Sequence, residues 1–388
     1  MLRTMAAAAR ALGRVCVLLE PIALYMTKDL EPGEFDRIME AAGGQNNAYT
    51  SNDVTVYQDW FPRSALETIF EIEAERLENL EFDPEAIESE RGVIISERRT
   101  TVDNNNISKL LEQVRATAYV AHPYQNPIIG WPSDIENWTQ EDLEAFFKTY
   151  YAPNNLTMIL VGDVTPEEVY LLANQYFSPI PRQYPPPEIT IVEPQQAGER
   201  RFLIETAAPT PLLHVAFHAG ATADPETLHM DLLLAILAEG SASRLHRVLV
   251  EEEQLALSVG SLQSDGFDPG LVYFYLTLPP GADIAAAEER LYAELRRVAT
   301  EGVTDAELEK ARNLRLASFW RSLQTIDGKA SALGNFETFT GDHENLFAVP
   351  ERLAATTPDE LRTAAAKVFR RNNMTTGILR APPEDDAE

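Results

Sequence analysis

No histidine occurs before His122, cysteine appears once in 388 residues, and no apolar run approaches the roughly 18 residues of a membrane-crossing helix. The single Cys16 excludes an intrachain disulfide framework and any multi-cysteine zinc or iron–sulfur site. Basic residues are also scarce: 32 Lys and Arg against 61 Asp and Glu leave a formal charge of −29. A surface of that sign repels phosphate, which argues against nucleic acid or an anionic membrane as partner. What remains is a hydrophobic fraction of 45% and a charged fraction of 24%, the composition of a globular protein with full cores. The start, "MLRTMAAAARALGRVCVLLEP", has no acid before Glu20. It is similar to a degenerate targeting segment but lacks a clean apolar stretch followed by small residues. Cysteine scarcity suits the cytosol and a bacterial periplasm alike, so the compartment stays open.

Proline marks the clearest boundary. Pro179–Arg200 holds six prolines in 22 residues, which excludes a helix interior and favours extended polyproline geometry. It reads as a linker between two halves of similar size. The halves are related: "TQEDLEAFFKTYYAPNNLTMIL" from Thr139 and "TPDELRTAAAKVFRRNNMTTGI" from Thr357 align without a gap at an offset of 218. Each reads as a capping threonine, an amphipathic helix, an Asn-Asn turn and a strand. A weaker pair sets "FDPEAIESER" beside "VTDAELEKAR". "DVTVYQDWFP" and "LVYFYLTLP" alternate as strands, whereas "SALETIFEIEAERLENL" and "DIAAAEERLYAELRRVAT" carry helical spacing. The predicted fold is α+β, a duplicated unit in two halves, each a mainly antiparallel sheet covered by helices. The segments expected are an atypical 1–26, a site-bearing domain 27–178, a linker 179–200 and a second domain 201–388.

"ESERGVIISERR", Glu88–Arg99, carries the most chemistry. Glu90 and Glu97 lie seven residues apart, which on a helix points both carboxylates the same way about 10 Å apart along the axis. Such a pair is either a solvated face paired with Arg91, Arg98 and Arg99 or one wall of a metal site.

Four motifs then follow in order: "GEFDRIMEAAGGQNNAYTSNDVTVYQDWF", "ESERGVIISERR", "HPYQNPIIGWPSDI" and "YYAPNNLTMILVGDV". In this order they resemble the M16 zinc peptidases, the pitrilysin, insulinase and mitochondrial processing peptidase family, over roughly residues 27 to 380. The resemblance implies the LuxS/metallohydrolase-like M16 architecture and pairing with a second such chain, as a homodimer or heterodimer, around a peptide substrate. It also implies a zinc held by an inverted His-x-x-Glu-His motif and a distant glutamate, with the inner Glu activating the bound water. The distant ligand maps onto Glu97, and Glu90 supports it from behind. The strand Asn47, Ala48, Tyr49 and Thr50 maps onto the edge that receives extended substrate; on its own it reads equally as a turn entering a strand.

The first two ligands are missing. The family spacing lands on "VLLEP", where Glu20 stands in the general-base position but Val17 and Pro21 occupy those of the histidines. With one ligand left, the chain is predicted to hold no catalytic zinc and to be inactive. Since the family has further strands before this motif, residues 1–26 are read as a truncation or frameshift product, leaving the first half short of strands. The alternatives kept are a non-catalytic scaffold or peptide-binding subunit, and an active enzyme whose true N-terminus precedes this sequence.

Elsewhere, His122 reads as a loop histidine with a structural hydrogen bond. His214 and His218 lie on one face of a strand about 13 Å apart, too far for a shared metal. In "EGSASRLHRVLVEEEQLALSVGS" the family's non-catalytic partners offer a gripping Arg and Tyr; Leu257 stands at the Tyr position, so the chain resembles the catalytic type with its histidines missing rather than a dedicated substrate-gripping partner.

Overall fold

A computed structural model describes residues 2–9, 27–31 and 33–383; Val17, Glu20 and Pro21 lie outside the described residues. Two sheets organise the chain. The first runs β2–β3–β1–β4, with β1 Leu2–Ala9, β2 Gln45–Thr50, β3 Val54–Phe61 and β4 Leu156–Val161, all neighbours antiparallel. The second runs β5–β9–β6–β8–β7, with β5 Arg200–Glu205, β6 Leu212–His218, β7 Ser258–Gln263, β8 Leu271–Thr277 and β9 Met374–Arg380. Only β5 and β9 are parallel.

The expectation of a first half short of strands does not hold for this sheet, because Leu2–Ala9 pairs with both β3 and β4 at its centre. Sheet hydrogen bonds come from the backbone, so an alanine run of poor strand propensity can fill the position.

The repeat is visible in detail. Thr139 and Thr357 each cap a helix through a reciprocal capping box, α6 Gln140–Tyr150 with Asp142 and α13 Pro358–Val368 with Glu360. Each box satisfies two backbone N–H groups that the first turn would leave unpaired. A short turn at Pro153–Asn155 or Arg371–Asn373 then leads into β4 or β9.

Two compact units result: residues 1–98, 126–191 and 320–346 form the first, and 99–125, 192–319 and 347–388 the second. Each unit is assembled from three stretches of the sequence. In the second unit, α4 Asn106–Ala118, from the first half of the sequence, packs on β5, β6 and β9. In the first, α11 Ile326–Thr340, from the second half, packs on β1 and β4. Each half of the sequence lends one helix to the other half's sheet.

One row across the second sheet explains two glycines. Gly260, Tyr275, His214, Gly377 and Phe202 are successive cross-strand neighbours and so share a face. The Tyr275 ring lies where a Cβ on Gly260 would sit, and Phe202, Val114 and Leu110 crowd the same place on Gly377. Between them His214 is buried, and burial lowers its pKa from the usual 6.5 to about 4. Between those two values the unfolded chain binds a proton that the folded chain refuses, so stability falls with acidification by up to about 1.4 kcal/mol per pH unit. Melting temperature should therefore drop from pH 7 to pH 5, and His214→Gln should flatten that slope; an unchanged slope in the variant would refute the assignment.

Candidate functional site

Helix α3, Pro84–Arg98, carries "ESERGVIISERR". Ile87 and Ile94 are buried one heptad apart in a cluster with Tyr57, Leu143 and Phe147. Arg91 and Arg98 lie on the same stripe, at i+4 from each isoleucine, and both donate to backbone carbonyls. Arg91 donates to the carbonyls of Ile135 and, at 2.8 Å, Trp138, and pairs with Glu88 at 2.9 Å. Buried Arg98 donates to Gly130 O at 2.8 Å, in a turn whose φ of +84° suits glycine. These arginines thus tie α3 to the segment carrying α5, Pro132–Asn137, by donating to its backbone carbonyls.

Glu90 and Glu97 sit three positions past the isoleucines, on the flank of the stripe. Glu90 is half-buried, and burial raises its pKa; Glu97 is exposed in the last turn. The helix then loosens into a π-turn, Arg99–Asp103, a distortion common beside functional sites.

Strand β2 holds Asn47, Ala48, Tyr49 and Thr50 at the end of the first sheet, and among the described residues its strand partner is β3 alone. Ser51 N–H donates to Val54 O at 2.8 Å where the hairpin closes. Alternation along an antiparallel strand then turns the N–H groups of Asn47 and Tyr49 toward β3 and those of Asn46, Ala48 and Thr50 outward. Tyr49 is 40% exposed.

All six histidines are in the described part, and among the described residues no group of three His, Cys, Asp or Glu side chains stands close enough to hold a metal ion. No chemical step is assigned to a metal among the described residues.

The histidines have other surroundings. His122 is buried, its Nδ1 accepting from Tyr124 N–H at 3.2 Å and its Nε2 3.4 Å from Asp268 Oδ2. Its own N–H, with those of Val120 and Ala121, converges on the Glu193 carboxylate at 2.9–3.0 Å. Burial pushes the Glu193 pKa up, but these three donors outweigh it and hold the group below its ordinary value. Sequence reasoning missed Glu193 because its partners are backbone groups, which no motif records. In the segment from Glu239, Leu257 is exposed, while Arg244 is buried and forms a two-pronged bond with Glu307 at 2.6 and 2.7 Å.

Two sheets of the same plan, related by an internal repeat and each covered by helices, define a duplicated peptidase-type fold. The profile described as Insulinase (Peptidase family M16) matches residues 15–131, and the one described as Peptidase M16 inactive domain matches residues 137–315. The chain belongs to the M16 peptidase family. The first match starts at residue 15, so it includes Val17–Pro21, ahead of where the motif resemblance begins. Among curated relatives, the zinc protease PqqE of Helicobacter pylori is 28% identical over 368 residues, covering 94% of this chain and 82% of its own length. The mitochondrial-processing peptidase subunit beta of Neurospora crassa is 26% identical over 344 residues, covering 83% and 70%. The crystal structure of a protease from Helicobacter pylori superimposes with a TM-score of 0.93 at 27% identity, covering 98% of this chain and 94% of that one. A peptidase M16 inactive domain from Pseudomonas fluorescens, at 17% identity and a TM-score of 0.90, shares the fold.

Proposed function

We propose that this chain is a non-catalytic M16 subunit that binds extended peptides by strand addition to β2 and works beside a second M16-type chain that carries the metal. The observation that supports it is the outward N–H groups of Asn46 and Ala48 on a strand that ends its sheet among the described residues, together with Val17 and Pro21 at the positions of the family's histidines. The side chains of Val17 and Pro21 offer zinc no donor, and no histidine precedes His122. In this reading Glu97 stands at the place of the family's third ligand and Glu90 at its supporting place. The name of the Neurospora relative, a subunit, fits an assembly of unlike chains.

Metal analysis of the purified protein should find no stoichiometric zinc, and an unfolded peptide should bind saturably without chelator-sensitive cleavage. Stoichiometric zinc with chelator-sensitive hydrolysis would overturn the reading and restore an active enzyme. Ala48→Pro removes one outward N–H and leaves the β3 ladder intact. It should weaken peptide binding about tenfold, the worth of one or two hydrogen bonds, with little change in melting temperature. A peptide N-methylated along its backbone should lose affinity for the unmodified protein in the same way. If neither change matters, strand addition is wrong.

A further inference from the structure

The proline-rich segment is tied down at both ends and bare in between. At its start, Asn154 and Gln183 exchange two hydrogen bonds, Gln183 N–H to Asn154 Oδ1 at 2.9 Å and Asn154 Nδ2 to Gln183 O at 3.2 Å. At its end, Glu193 receives the three N–H groups of Val120, Ala121 and His122, and buried Gln196 donates to Met374 O at 2.8 Å. Tyr184–Val192 between them has neither helix nor strand, and among the described residues none of its backbone groups takes part in a hydrogen bond. Tyr184 is 93% and Val192 83% exposed.

This strap is also unnecessary as a tie. The sequence before it supplies α4, whose Leu110, Val114 and Ala118 are completely buried against the second sheet. The sequence after it supplies α11, packed on the first sheet. Each fully buried side chain of this kind contributes about 1.5–3 kcal/mol, and the two exchanged helices hold the halves of the sequence together through contacts inside both units. The Glu193 bonds add a link of the same kind, since donor and acceptor lie on opposite sides of the strap in sequence.

We propose that Tyr184–Val192 is a processing site, at which an endopeptidase with a preference for aliphatic residues cuts within Ile189–Val192 and leaves a two-chain molecule with its fold intact. The three prolines Pro185–Pro187 resist cleavage and keep the segment extended, which directs attack to "ITIV" behind them. Hydrolysis adds one water across one peptide bond and yields a carboxylate and an amino group, both in solvent, so neither new charge is buried.

Brief elastase treatment of the native full-length protein tests this. The first cut should fall within Ile189–Val192, giving two fragments of similar size on a denaturing gel that co-elute as one species under native conditions. Ile189→Pro combined with Ile191→Pro should slow that cut about tenfold without altering the melting temperature, because neither residue donates a backbone hydrogen bond. Fragments that separate under native conditions, a first cut elsewhere, or a double variant cut as fast as the parent would each overturn the proposal.

Discussion

Arg244→Ala should cost about 3 kcal/mol of stability, the loss expected when one partner of a largely buried ion pair is removed. Arg244 is 8% exposed and also donates to Gly302 O at 3.3 Å. Its partner Glu307 serves twice, because the same carboxylate accepts from Thr304 N–H at 2.8 Å in the capping box that opens α10, Asp305–Ser322. Burial pushes the Glu307 pKa up, but the hydrogen bonds from Arg244 and Thr304 and the Arg244 charge overcome it and hold the pKa at about 2. A folded value below the unfolded one of about 4.3 means that the stabilisation is complete above that value. It is lost as pH falls toward 2. The parent should lose stability through this window, and Arg244→Ala should start lower and fall less. Its full worth is up to about 3 kcal/mol, reduced somewhat because the Glu307 side chain is 30% exposed. Urea unfolding at pH 7 and pH 3.5 measures both effects. Equal losses for parent and variant would show that the pair does not set the pKa.

Gly377→Val is the second large effect. A Cβ at this position would stand 2.5 Å from Phe202 Cζ, 2.7 Å from Val114 Cγ2 and 3.0 Å from Leu110 Cδ1. Phe202 can swing aside, but Val114 and Leu110 are fully buried on α4 and cannot move without lifting the helix from β9. Overpacking of this kind costs about 1–3 kcal/mol, and the branched valine belongs at the upper end. Val114→Ala alone should cost stability by opening a cavity, yet in the Gly377→Val background it should restore part of the loss. That coupling between neighbours is what a double-mutant cycle on thermal unfolding reads. Strict additivity would mean that α4 is not seated on Gly377. The contact matters beyond its own energy because α4 is one of the two exchanged helices.

Several elements were legible before any coordinates. The capping threonines Thr139 and Thr357 declared both helix starts, and the alternation of Val54–Phe61 and Leu271–Thr277 declared both strands, because these signals are local. The "ESERGVIISERR" helix was equally clear, but its sequence left open a solvated ion-paired face and a wall of a metal site. Three-dimensional packing sends Arg91 and Arg98 to the carbonyls of Trp138 and Gly130, while Arg91 also pairs with Glu88. Leu2–Ala9 falls within the stretch expected to be an atypical N-terminal segment; its position comes from the open backbone edges of β3 and β4.

The sequence by itself determined the family, through four ordered motifs, and the lack of histidines where the family's zinc ligands belong, since no folding can create a side chain that is not encoded. Only the tertiary structure decided which helix covers which sheet, that β2 ends its sheet among the described residues, and that Glu193 closes the linker on three N–H groups. Those are contacts between residues far apart in sequence, and backbone partners leave no mark on residue identity.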